Sequence, residues 1–317
     1  MIATKPIIQT VDLTMTYGKG KTTKRALDQL NLSVQPGEIF GYLGPNGAGK
    51  TTTIRLLLDL IRPTAGHASI LGLDVQRHSV ELHRQIGYLP GELSLWDTLT
   101  ARQVIHYMAS LRGHLDMKFV QSLAERLEFD MSQKVRSYSS GNKRKLGLIL
   151  ALMNKPALLI LDEPTSGLDP LMQQIFLQLM REVRHDGRTV FLSSHILNEV
   201  QEICDRVGIL RSGQLKEVKT VSDLTHTDFR WVTMQFREAP PVDKLTAVPG
   251  ATGMTVTGNQ VKLRLTGDFD PLIRASAGQY IVDVEVQEPT LEEIFLTYYG
   301  DTPTAQSNHR TRTEVAV

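Results

Sequence analysis

Apolar positions along the chain follow two rhythms. "LDQLNLSV", "IFGYLG", "ALLILD" and "TVFLSS" are short apolar runs bounded by turn residues, and they predict strands. The unbroken runs suit strands covered on both faces of a sheet. A "QPGE" turn joins the first two. "TTTIRLLLDLI", "LMQQIFLQLMREVRHDG" and "ILNEVQEIC" instead have helical length and spacing, with Pro63 and Gly66 closing the first. "RVGILRSGQLKEV" predicts a hairpin turning at Ser212-Gly213. From about Thr98 to Asn154 the strand pattern stops. "TLTARQVIHYMASLRG", "MKFVQSLAERLEF" and "GNKRKLGLILALM" all repeat apolar residues at i, i+3, i+4. Strands alternating with helices around such a block predict an α/β core with a helical insertion.

After about Val221 the pattern changes. "FRWVTMQF", "DKLTAV", "GMTVTG", "QVKLRLTG", "FDPLIRASAG", "YIVDVEV" and "TLEEIFLTYY" predict strand, helix, strand, strand, helix, strand, helix. The first six match the order of a small ferredoxin-like α+β domain. The expected organisation is a first domain over 6–222 with a helical subdomain at about 97–154, an accessory domain over 223–300, and a polar, aperiodic tail over 301–317 expected to be disordered.

Composition narrows the function class. With 35 basic and 34 acidic residues in 317, the charges nearly cancel, and no global field recruits nucleic acid or an anionic membrane surface. The basic stretches "GKGKTTKR" and "NKRK" lack interleaved aromatics and are expected to be solvated or phosphate-proximal charge. One cysteine, Cys204, excludes an internal disulfide or a multi-cysteine metal site. The start, "MIATKPIIQTVD", lacks the order of a signal peptide, so the protein is expected to stay inside the cell. "LGLILALMNKPALLILD" is interrupted by Asn154-Lys155-Pro156 well short of the ~20 residues of a spanning helix. Any membrane role must then run through a partner.

The chemistry sits in two places. Gly44, Pro45, Asn46, Gly47, Ala48, Gly49, Lys50 and Thr51 fit G-x-x-x-x-G-K-[ST] between a predicted strand and a predicted helix, and Thr52 continues the site. Such a loop lets successive N–H groups curl round phosphate oxygens at a helix N-terminus. Lys50 would reach the β- and γ-phosphates, and Thr51 would place its hydroxyl on Mg²⁺. "ALLILDEP" ends a buried strand in two acids, which is costly unless the charge is used. A nucleotide-bound Mg²⁺ would pair with Asp162, and Glu163 would polarise an attacking water.

"SYSSGNKRKLGLILALMNKPALLILDEPTSGLDP" and "TVFLSSHILNEVQEICDRVGIL" then resemble the ATP-binding subunits of ABC transporters, over roughly residues 6 to 220. The resemblance implies a P-loop NTPase core with a helical signature subdomain, using ATP and Mg²⁺. It makes Gly44 to Thr51 the Walker A loop, Asp162 the Walker B acid and Glu163 the catalytic base. Ser166 to Asp169 become the D-loop, and His195 the switch histidine at the γ-phosphate. Tyr17 would stack on adenine. The Leu-Ser-Gly-Gly-Gln type of signature aligns with "YSSGN": Ser139 and Gly141 match, while Ser140 replaces the first glycine. Ser139-Ser140 also suits an N-cap, and both readings hold together. In this family the signature faces ATP held by a second subunit, so the working unit is expected to hold two chains, as a homodimer.

The same resemblance implies a separate transmembrane permease as partner, membrane contact only through it, and a place on the cytoplasmic face of the membrane. "GYLPGEL" and the ending "EPTLEEIFLTYYG" look like the drug- and antibiotic-resistance branch of bacterial exporters. The alternatives are a soluble ABC-type ATPase acting on a cytoplasmic assembly and an ATP-gated, non-hydrolysing subunit. One departure stands out. Where the family usually has a glutamine after "GY-x-P", this chain has Gly91, followed by Glu92. The Pro-Gly turn makes Glu92 a solvated acid; the alternative is that Glu92 takes the glutamine's place at Mg²⁺.

Overall fold

The buried strands in the first two-thirds of the chain line up in one sheet. The computed structural model describes residues 5–18, 20–113, 115–194, 196–225 and 229–288. It divides into two compact units, one ending at Ser222 and one beginning at Asp223. In chain order the first unit opens with β1 (Ile8–Tyr17), β2 (Lys24–Leu30), β3 (Ser33–Val34), β4 (Ile39–Leu43), α1 (Lys50–Leu57), β5 (Ala65–Ile70) and β6 (Leu73–Asp74). It continues with α2 (Ser79–Gln85), β7 (Ile86–Leu89), α3 (Ala101–Ser110), α4 (Met117–Arg126), α5 (Ser140–Leu152) and β8 (Leu158–Asp162). Then come α6 (Pro170–His185), β9 (Thr189–Ser194), α7 (Leu197–Ile203), β10 (Arg206–Arg211) and β11 (Gln214–Thr220).

The main sheet has six strands in the order β11-β10-β4-β9-β8-β7. β10, β4, β9, β8 and β7 run parallel, and β11 returns antiparallel beside β10. β4, β8 and β9 are buried along their whole length, the condition of central strands in a parallel sheet. A second, antiparallel sheet runs β2-β1-β5-β6, with β3 also on β1. Its strands are part-exposed, so no continuous apolar run announces them. One core joins the two sheets through Leu13, Leu27, Phe40, Tyr42 and Ile54.

The three helices of the insertion lie where their periodicity puts them, and each starts on a polar cap. Thr100 forms a capping box with Gln103, Asp116 accepts from Phe119 N, and Ser139 accepts from Asn142 N. Two expectations change. α1 ends at Leu57, well before Pro63, because Asp59 turns left-handed at φ 54°. "LDQLNLSV" is two strands, split where Asn31 and Asp12 exchange hydrogen bonds of 2.9 and 3.0 Å.

The second unit begins within α8 (Val221–Thr225) and contains β12 (Phe229–Phe236), α9 (Val242–Thr246), β13 (Ala251–Thr257), β14 (Gln260–Thr266), α10 (Asp270–Ala275) and β15 (Ile281–Gln287). Its four strands are antiparallel neighbours in the order β13-β14-β12-β15. Val232, Met234 and Phe236 from β12 pack with Leu245 of α9 and Leu272 of α10. The expected helix at "TLEEIFLTYY", the tail from Asp301, and His195 lie outside the described residues.

Candidate functional site

Strand register assembles the site. Pairing sets Leu89 opposite Leu161, Asp162 opposite Ser193, and Leu43 opposite Ser194. The chain therefore leaves β7, β8, β9 and β4 along one edge, the carboxyl edge where open α/β sheets take their ligands. A cleft of about 650 Å³ opens there. Pro45, Asn46, Gly47, Gly49, Lys50, Thr51 and Thr52 line it, with Tyr17, Glu163, Gly91 and Ser166.

The phosphate loop connects buried β4 to α1. Its geometry needs glycine at Gly49, which caps α1 at φ 114°, a conformation closed to side chains. Lys50 is 6% exposed and reaches back along the loop. Its ammonium donates to Gly44 O at 2.6 Å and lies 3.4 Å from Glu163 Oε1. A buried ammonium must have such partners, and a bound phosphate would offer it stronger ones.

Asp162 ends β8 and is buried. Thr51 Oγ1 donates to its Oδ2 at 3.0 Å, and Ser193 Oγ donates to its Oδ1 at 2.5 Å. The next residue, Glu163, turns into the cleft on a left-handed backbone at φ 50°, unusual for a glutamate. Its N–H is pinned by Ser193, at 3.1 Å to Oγ and 3.2 Å to the carbonyl oxygen. A hydroxyl and a carboxylate side by side form a hard-oxygen donor pair of the kind Mg²⁺ takes. Tyr88 stands nearby on β7; burial pushes its phenol above the ordinary range, and the Asp162 charge adds to this.

Two residues here escape the motif reading. Ser193 is one, and Arg144 is the other. The expectation that "NKRK" is solvated or phosphate-proximal fails at Arg144, which is 4% exposed and absent from the cleft wall. Helix periodicity held the signal: positions 144, 147, 148 and 151 share one face, and Arg144, Gly147, Leu148 and Ala151 are all buried. Its guanidinium donates to Pro90 O at 2.5 Å, Gly91 O at 3.2 Å and Asp162 O at 3.0 Å, and also to Glu163 O. Burial pulls its pKa below the ordinary arginine value, while the Asp162 and Glu163 charges act the other way.

The other candidates separate. Tyr17 ends β1 at the cleft and is 39% exposed. Gly44 serves through its carbonyl, and Ala48 is buried beneath the loop. Ser139, Ser140 and Gly141 are not in this cleft; both serines are exposed at the start of α5. Glu92 is exposed and does not line the cleft, whereas Gly91 does. A Cβ at Gly91 would sit 3.2 Å from Asp162 Oδ2, so the bare backbone makes room for that carboxylate.

Comparison with known proteins gives this arrangement its relatives. A family model described as ABC transporter matches residues 27–166. The bacitracin transport ATP-binding protein BcrA of Bacillus licheniformis is 37% identical over 235 residues, covering 73% of this chain and 76% of that protein. The linearmycin resistance ATP-binding protein LnrL of Bacillus subtilis is 30% identical over 313 residues, covering 93% of this chain and 99% of that protein. A solved structure described as the ATP binding subunit of an ABC transporter aligns with a TM-score of 0.62 at 30% identity, covering 69% of this chain and 91% of that one.

Proposed function

The chain belongs to the ABC transporter family of ATP-binding proteins, and from that premise we propose that it hydrolyses ATP to drive a separate transmembrane permease that exports an antibiotic, drug or other lipophilic compound. The observation that carries the ATPase reading is the meeting of Lys50, Thr51, Asp162 and Glu163 at one cleft edge. The export reading rests on relatives named for bacitracin transport and linearmycin resistance.

In this reading the loop from Gly44 to Thr52 receives the phosphates of ATP and Tyr17 stacks on the adenine. Lys50 exchanges its Gly44 and Glu163 contacts for phosphate oxygens, which places positive charge where the reaction develops negative charge. That exchange also frees the Glu163 carboxylate to orient a water and accept its proton. Thr51 and Asp162 would hold Mg²⁺, which when bound neutralises charge on the transferring phosphoryl group. His195 follows the same serine-rich strand end and is assigned to the γ-phosphate.

Ser139, Ser140 and Gly141 would meet ATP held by a second copy. The exposure of Ser139 and Ser140 outside the chain's own cleft, at the start of α5, supports that assignment. The working unit is then a head-to-tail homodimer. The order β13-β14-β12-β15 with two helices supports a ferredoxin-like fold for an accessory domain after residue 222. Among the described residues no helix is long and apolar enough to cross a membrane. Contact with the membrane through the permease, at its cytoplasmic face, agrees with this.

ATP hydrolysis by the purified chain, alone and with host membranes, tests the proposal. Turnover raised by the membranes, and raised again by an antibiotic, is the expected result. Binding without turnover in both settings would instead favour an ATP-gated, non-hydrolysing role.

A further inference from the structure

Arg144 is a buried charge that the reading above leaves without a task. Among the described residues its guanidinium makes no ion pair and donates to four backbone carbonyls, which come from two separate segments. Pro90 and Gly91 follow β7, and Asp162 ends β8 with Glu163 next in the chain. The arginine itself belongs to α5, the helix that Ser139 caps. One planar fork thus holds three elements at the place where hydrolysis is assigned. Taking a guanidinium out of water is costly unless such acceptors repay it.

What it holds is the awkward part of the site. Glu163 sits in a left-handed conformation, at φ 50°, that is unfavourable for a residue with a side chain. Ser193 pins its N–H, and Arg144 takes its carbonyl oxygen. With both backbone groups tied, the Cα–Cβ bond of Glu163 is aimed into the cleft, and Lys50 meets the carboxylate at its end. The same guanidinium fixes Gly91 against Asp162, where the chain has no side chain of its own to do so.

We propose that Arg144 is a positioning residue for ATP hydrolysis: it locks Glu163 in its working direction and ties that direction to the Pro90–Gly91 segment and to the start of α5. The inference rests on Glu163 being the base. Movement of Pro90–Gly91 or of α5 would then reach Glu163 through one side chain. An ammonium is a point donor and cannot span both pairs of carbonyls, so lysine should serve only in part.

The test uses the full chain with Arg144→Lys and Arg144→Met, each also combined with Glu163→Gln. Thermal unfolding and ATP titration identify folded, ATP-binding variants, and Arg144→Lys keeps the charge if the methionine variant does not fold. The expected result is a KM within a few-fold of the unaltered chain and a kcat lowered roughly 100-fold in Arg144→Met, the scale for a misplacement of about 1 Å. Arg144→Lys should recover part of it, and in the Glu163→Gln background neither change should lower turnover further. Folded variants that hydrolyse ATP at the full rate, or losses that simply add to that of Glu163→Gln, overturn the inference alone. Absence of turnover in the unaltered chain overturns the ATPase reading and this inference with it.

Discussion

Lys50 and Glu163 face each other across the cleft, with ammonium and carboxylate 3.4 Å apart. The cation that must grip phosphate and the group assigned as base neutralise one another when no phosphate is near. In the proposed roles, nucleotide binding would have two effects in one step, because a phosphate that draws Lys50 away would also release Glu163.

This makes the two residues separable by experiment. Glu163→Gln removes the base but leaves the phosphate loop intact. ATP affinity should hold or rise, and hydrolysis should fall by roughly two to four orders of magnitude, the range for a positioned base. Lys50→Ala should lose affinity as well as turnover. Nucleotide titration beside single-turnover hydrolysis checks both, and near-normal turnover in Glu163→Gln would remove that residue from the base role.

Ser193 supports both acids, through its 2.5 Å bond to Asp162 Oδ1 and its 3.1 Å bond from Glu163 N. Ser193→Ala leaves Asp162 short of a donor in a buried place. Outer partners of metal ligands typically matter by about 10- to 100-fold, so the Mg²⁺ concentration for half-maximal hydrolysis should rise by about that factor. A Mg²⁺ titration reads it, and an unchanged midpoint would mean that Thr51 suffices to hold Asp162.

Gly91 and Glu92 give opposite expectations. A methyl group at position 91 would press on Asp162 Oδ2 from 3.2 Å, so Gly91→Ala should raise the Mg²⁺ requirement. Glu92 is exposed, and Glu92→Ala should leave that requirement unchanged. If Glu92→Ala raises it, the acid reaches the site after all.

Gly141, the second residue of α5, packs against the carbonyl of Gly167. A Cβ there would stand 2.9 Å from that oxygen. Alanine gains up to about 1 kcal/mol of helix propensity over glycine, but overpacking a fixed contact typically costs about 1–3 kcal/mol. The clash should win. Gly141→Ala is expected to lower the unfolding midpoint in denaturant and to displace the segment from Ser166 to Asp169, of which Ser166 lines the cleft.

The parts legible from residues alone are those whose meaning is local. Gly44 to Thr52 run from the end of one strand into the first turn of one helix, so nine consecutive residues carry the proposed phosphate cradle. The helices from Ala101 to Leu152 declare themselves by spacing and by the caps at Thr100, Asp116 and Ser139. The order of elements after Phe229 likewise follows from short-range periodicity. The edges of β1, β5 and β6 were silent because half-exposed antiparallel strands mix polar and apolar residues.

Partnership across the chain was beyond local pattern. Thr51 reaches Asp162 over 111 positions and Ser193 reaches it over 31, both set by which strands neighbour one another and in what register. Gly91 looked like a missing side chain until the fold put the Asp162 carboxylate against it. Arg144 looked like one more surface charge in a basic run, since charge type says nothing of direction. Its helix turns it inward, and four carbonyls from two distant segments make a buried arginine tenable.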